Sequence, residues 1–300
     1  MPFLKRVTER RPILLDGATG SELDRRAVDT TLPLWSARAL LDAPDVLFQI
    51  HTDYLRAGAE IITANTFRTH RRTLARAGLG DRAPELTRLA VQIARNAVSA
   101  FPGGGERFVA GSLAPLEDCY SPELVPPQAE CEREHAEMAA LLAEAGADLI
   151  LVETMNTVRE AVAATRAARA TGLPVLTGFV CRTDGRLFSG ESVTDAARAV
   201  APLGGVGLLI NCTPSTTIHE PFKEMRTALS RATSHRPPIL GLYANIGHTD
   251  AVKGWESTAD VTPLEYARLA VGWLKLGANL IGGCCGTTPG HIAALRMVMV

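Results

Sequence analysis

The sequence predicts one α/β domain over residues 1–300, folded as a single (β/α)8 barrel of the TIM type. Three observations predict it. Eight short apolar runs recur along the chain, each continuous rather than alternating, as parallel strands buried on both faces require. Helical patterns separate them, which is the order of a parallel α/β fold. Residues able to do chemistry fall at the ends of the runs, where a barrel gathers its βα loops into one mouth. A doubly wound open sheet is the alternative. However, the first run leads into DGATGSEL, whose glycines at 17 and 20 do not make the G-x-G-x-x-G dinucleotide fingerprint.

The strand candidates, in order, are ILLDGATG (13–20), IITANTF (61–67), FVAGSLA (108–114) and LILVETM (149–155). PVLTGFV (174–180), GVGLLINC (205–212), PILGLYANIG (238–247) and NLIGGCCG (279–286) follow. Helices are expected over 84–100, 128–146 and 157–172, and several crossovers end in Ala-Gly or Thr-Gly, a C-cap signal. The last crossover spells out both ends. Thr262 suits the N-cap, Pro263 the first helical position, Glu265 a capping box and Gly277 the residue after the C-cap. No linker, low-complexity tract or shift in composition divides the chain.

Hydrophobic residues at 46% and charged residues at 21% are ordinary for a globular protein with a sizeable core. A net charge of −1 gives no basic surface for nucleic acid or an anionic membrane. The N-terminal MPFLKRVTERR is basic, but no apolar segment follows it, so no signal peptide is expected. No apolar run approaches the roughly 18 residues that cross a bilayer. A cytoplasmic location is expected. Six cysteines in 300 residues are too sparse for a disulfide scaffold and read instead as core residues, metal ligands or nucleophiles.

The run ends read Asp16, Asn65, Ser112, Glu153, Cys181, Cys212, Asn245 and the pair Cys284–Cys285. Adjacent residues of a strand face opposite ways, so Cys284 and Cys285 serve one centre only if the backbone turns there, as the flanking glycines allow. Cys212 and this pair lie at the ends of the sixth and eighth runs, which share one mouth in a closed barrel. Three soft thiolates without a fourth suit Zn2+ with one position open, the mark of a catalytic site. Cys119, Cys131 and Cys181 read as structural, and His248 as a loop residue. Asp16 and Glu153 are placed to hold an ammonium group or to act as acid and base. Buried at the end of LILV, Glu153 in particular needs a partner.

With DGATGSEL (16–23), ANTF (64–67), GSLAP (111–115), VET (152–154), INC (210–212), YAN (243–245) and GGCCGT (282–287), the chain resembles the homocysteine S-methyltransferase family over nearly its whole length. INC together with GGCCG is the specific part. The family's members are zinc-dependent (β/α)8 barrels that move a methyl group onto the sulfur of homocysteine. The resemblance implies Cys212, Cys284 and Cys285 as zinc ligands, and Asp16 and Glu153 as the residues that bind the amino end of homocysteine. It places Asn65, Thr66 and Phe67 near that amino acid. In some relatives the asparagine of the YAN-type motif, here Asn245, occupies the zinc until substrate arrives. Others use a tyrosine after the glutamate, where this chain has Thr154, grouped here with the substrate residues.

Ala114 stands where the third motif usually has a second glycine, so the following loop, PLEDCYSPELVPP, is expected to differ and to form part of a lid or donor pocket. Betaine-using relatives carry a long extension after the zinc motif, whereas 14 residues follow Gly286 here. That, with no cobalamin module, favours a sulfonium donor such as S-methylmethionine or S-adenosylmethionine over betaine or a corrinoid protein. Another thiol acceptor, a zinc hydrolase or aldolase on the same barrel, and a redox sensor built on Cys284–Cys285 are the remaining alternatives. Oligomeric state is not readable.

Overall fold

Eight parallel strands pair in the order β1-β8-β7-β6-β5-β4-β3-β2. They are β1 (Ile13–Leu14), β2 (Ile61–Ala64), β3 (Phe108–Leu113), β4 (Leu149–Met155), β5 (Val175–Phe179), β6 (Gly207–Pro214), β7 (Ile239–Asn245) and β8 (Leu280–Gly283). The two ends of the sheet meet: Leu15 bridges Ile61 in parallel, the Asp16 N–H donates to the Ile61 carbonyl, and the Glu60 N–H donates to that of Leu14. The sheet is therefore a barrel, as the sequence predicts. The structure is a computed structural model and describes residues 1–9, 11–230, 239–246 and 261–299. His248 and both ends of the predicted run 238–247 lie outside the described residues.

Where the chain leaves each strand is decided by glycines and hydrogen-bonded turns rather than by loss of hydrophobicity. β1 is much shorter than its apolar run, because Thr19 already starts a helix. Asp16 therefore stands just beyond the strand. β2 stops at Ala64, so Asn65, Thr66 and Phe67 belong to the following turn. β8 stops at Gly283, where a Cβ would lie 2.3 Å from the Thr287 hydroxyl, and both cysteines fall in a turn.

The helices match their patterns. Ala83–Ala100, Gln128–Glu144 and Val158–Ala170 form where the spacing predicts. Pro263–Lys275 has the full Thr262–Glu265 capping box and ends before Gly277, whose φ of +91° only glycine adopts readily. The basic N-terminus is a surprise. Pro2–Thr8 is a helix that covers the N-terminal end of the barrel, with Phe3 edge-on to Phe108 at 5.2 Å and Arg6 bound by two hydrogen bonds to Glu60. Among the described residues, no helix is long and apolar enough to cross a membrane.

Two apolar layers hold the molecule together. One fills the barrel with side chains such as Leu149, Leu151, Leu176 and Leu209, and the other packs the helices onto the strands' outer faces. Because strand side chains alternate in direction, each strand contributes to both.

Candidate active site

Seven strand ends, those of every strand but β5, and the turns beyond them build the site. β4 and β6 each slip register near their C-terminal ends, between Val152 and Met155 and between Asn211 and Pro214. Bulges of this kind redirect side chains at the rims of barrels. Each bulge holds one non-glycine residue in the left-handed region, Thr154 at φ +62° and Cys212 at φ +49°. Such a conformation costs about 1–3 kcal/mol per residue and persists only where the surroundings enforce it. The enforcement is visible. Asn211, fully buried, accepts a hydrogen bond from the Thr154 N–H at 3.0 Å and donates one to the Thr154 hydroxyl at 2.8 Å.

The left-handed turn at Cys212 brings its sulfur to 3.8 Å from that of Cys285. The sulfurs of Cys212, Cys284 and Cys285 all lie within 4.8 Å of one another. The turn carrying the pair is fixed by its backbone: Cys284 N–H donates to Ala244 O, Ile246 N–H to Cys285 O, and Gly286 N–H to the Ser21 hydroxyl. Zn–S bonds of about 2.3 Å in a tetrahedron put neighbouring sulfurs roughly 3.8 Å apart, so the observed spacing fits that ion. The thiols' acidities fit it as well. Hydrogen bonds from Cys284 and Cys285 hold the Cys212 thiol well below its ordinary range, and as donors to Cys212 those two are held well above theirs. A divalent cation held by the three sulfurs would stabilise them together as thiolates.

Two further groups touch the cluster. The Tyr120 hydroxyl lies 3.3 Å from the Cys212 sulfur, and burial holds it a neutral phenol able to donate. Asn245 donates from its amide nitrogen to the Cys212 carbonyl at 2.9 Å, while its buried amide oxygen has no partner among the described residues. An orphaned buried carbonyl beside three thiols is the kind of atom a metal satisfies.

Asp16 accepts from the Thr63 N–H at 2.7 Å and from the Thr63 hydroxyl at 2.9 Å. Glu153 accepts from the Ser112 hydroxyl and, at 3.1 Å, from the Tyr243 hydroxyl. Burial raises both carboxyls to about 7; the charge of Glu153 adds to the rise at Asp16, and these hydrogen bonds oppose it. Such a pair near neutrality is poised to ionise when a cation arrives.

Of the other sequence-derived candidates, Asn65 donates to the Ser36 carbonyl at 2.8 Å and Thr66 to the Ser112 carbonyl at 2.8 Å, both holding loops in place. Phe67 remains half-buried, edge-on to Trp35 at 5.7 Å. Cys131 and Cys181 sit in the core, away from the three-sulfur group, and Cys119 is buried close enough to Cys212 to feel its charge. Sequence reasoning missed Asn211, Tyr243 and Thr63, which sit inside apolar runs at inward-facing positions. Tyr120 gave no pattern of its own beyond membership in the loop after the third run.

The family described as homocysteine S-methyltransferase matches residues 13–299. A selenocysteine methyltransferase from Astragalus bisulcatus is 30% identical, over 96% of this chain and 93% of that protein. A homocysteine S-methyltransferase from Escherichia coli is 32% identical, over 95% of this chain and 94% of that protein. Among solved structures, the metallated form of the homocysteine methyltransferase MmuM from Escherichia coli superposes with a TM-score of 0.84 at 27% identity, covering 99% of each chain.

Proposed function

The chain belongs to the homocysteine S-methyltransferase family, and on that premise we propose that it moves a methyl group from a small sulfonium donor to the thiol of homocysteine, giving methionine. The observation that carries the reading is the convergence of Cys212, Cys284 and Cys285 on one point beside a carboxylate pair. In this reading Cys212, Cys284 and Cys285 would hold Zn2+, and Asn245 would supply a further donor until substrate arrives. When bound, the ion supplies acidification of the incoming thiol, which free in solution has a pKa near ~8.5.

The chain's own residues do the rest. Asp16 and Glu153 take the ammonium group of homocysteine, and that cation brings both carboxyls to their charged form. Thr63, Ser112 and Tyr243 fix the carboxylates so that the amino acid enters in one orientation, an alignment worth several kcal/mol of barrier. Asn65, Thr66, Phe67 and Thr154 shape the wall around it. The homocysteine sulfur then forms a bond to the methyl carbon as the donor's C–S bond breaks, and the donor's electron pair leaves on a neutral thioether. A mouth lined by thiolates and carboxylates attracts a cationic donor, which supports S-methylmethionine or S-adenosylmethionine.

We treat residues 1–300 as one domain, since strands from both ends of the chain close the same barrel. A cytoplasmic location belongs to this reading because a reducing compartment keeps the three thiols free. A selenol acceptor is the second reading, favoured by the Astragalus relative's name. The test is methionine formation from homocysteine with S-methylmethionine, S-adenosylmethionine and betaine in turn. Product with a sulfonium donor is expected; none with any donor contradicts the function, and faster turnover of selenocysteine than homocysteine installs the second reading.

A further inference from the structure

We propose that Asn211 is a positioning residue that joins the metal end of the site to its amino-acid end, so that Cys212 and Glu153 address one substrate. The proposal rests on the function above. In the sheet, β5 lies between β4 and β6, and the side chain of Asn211 on β6 crosses it to reach Thr154 on β4. It can cross because position 178 of β5 is glycine. A Cβ there would lie 2.6 Å from the Asn211 amide oxygen.

What the amide does at the far end follows from the bulge. Where β4 slips against β5, the Thr154 N–H loses its regular ladder acceptor, and a buried unpaired N–H is costly. The Asn211 oxygen replaces that acceptor at 3.0 Å, and its nitrogen uses the Thr154 hydroxyl at 2.8 Å. Thr154 is thereby held left-handed directly after Glu153, the residue assigned to the ammonium group. At the near end, Asn211 is directly followed by Cys212, which is also left-handed. One side chain thus fixes the backbone beside a metal ligand and beside the carboxylate. An apolar residue of similar size at 211 would fill the space without making either bond.

The experiment compares Asn211→Ala, Thr154→Val and Thr154→Ser with the wild type by zinc affinity in chelator competition, homocysteine affinity by calorimetry, and thermal midpoint. Thr165→Val, which breaks a buried hydroxyl pair with Thr177 remote from the sulfurs, is the control for loss of a buried hydrogen bond alone. Outer-sphere partners of metal ligands typically change metal affinity about 10- to 100-fold. Asn211→Ala and Thr154→Val are expected to weaken zinc within that range and homocysteine on the order of tenfold. Thr154→Ser, which keeps both hydrogen bonds and removes only a methyl group, is expected to lose clearly less affinity for both ligands than Thr154→Val, and Thr165→Val to lose only thermal stability.

If Asn211→Ala does not fold, the Thr154 pair decides. A folded Asn211→Ala with wild-type affinity for both ligands overturns the proposal. So does Thr154→Ser falling as far as Thr154→Val. Calorimetry needs no turnover, so a wild type that binds homocysteine without methylating it contradicts the function while the variants still judge the brace. A wild type binding neither ligand overturns both.

Discussion

The interior of the barrel has two chemistries stacked along the same strands. Toward the N-terminal end, inward positions carry Phe108, Leu149, Leu176, Leu209 and Ile239, with Phe3 packed against them. Two to four residues further along, the inward positions carry Thr63, Ser112, Glu153, Gly178, Asn211 and Tyr243. The lower layer needs only volume and shape. In the upper layer the polar groups are paired: Thr63 with Asp16, Ser112 and Tyr243 with Glu153, and Asn211 with Thr154. Stability and chemistry are thus separated by only one or two repeats of the strand pleat, about 7–14 Å along the strand. Substitutions in the two layers should therefore fail in different ways.

Leu151 and Glu153, neighbours on the inner face of β4, provide the direct comparison. Leu151→Ala opens a cavity in the lower layer and is expected to cost about 2–5 kcal/mol of stability, leaving homocysteine affinity unchanged in the folded fraction. Chemical unfolding followed by a binding titration checks it, and an equal loss of affinity would erase the boundary between the layers. Glu153→Gln is expected to do the reverse. Losing a charged partner for the ammonium group is worth about 1.5–3 kcal/mol, or roughly 10- to 100-fold in homocysteine affinity, with little change in thermal midpoint.

The pH dependence sharpens the same contrast. Asp16 and Glu153 have folded pKa values raised to about 7 from 3.8 and 4.5. The folded state therefore binds their protons more tightly than the unfolded state, so their contribution to stability is greatest at low pH and is lost as pH rises toward about 7. Ammonium binding needs the ionised forms, so homocysteine affinity should rise across that window as ligand-free stability falls. Opposite slopes in calorimetry and thermal melting are the expected result, both flattened in Asp16→Asn; parallel slopes would contradict the assignment. The smallest expected effect is at Cys131→Ser. That thiol lies in a separate apolar cluster, and metal content should be unchanged.

Much of this was legible in the sequence. Continuous apolar runs gave the parallel strands, the capping box at Thr262 gave a helix start, and the glycine-framed pair with INC gave the three sulfurs. The run ends were less legible, because DGATG and ANTF remain rather apolar while their backbone has already turned. Asn211 and Tyr243 were hidden for a different reason. Read as members of apolar runs, they carry no signal; read by alternation from Leu209 and Gly241, they are the polar continuation of an inward-facing row. The left-handed turns at Thr154 and Cys212 had no signal, since neither residue type favours that conformation.

On this reading, three thiols from two strand ends form one metal centre serving methyl transfer. Its most direct test is the zinc content of freshly purified, reduced protein, wild type beside Cys212→Ser, with homocysteine methylation measured on the same samples. About one zinc per chain in the wild type is expected, as a single three-thiolate site requires, with metal and turnover both lost in the variant. A wild type that transfers methyl groups without metal, or a Cys212→Ser protein that keeps its zinc, would contradict a three-thiolate centre.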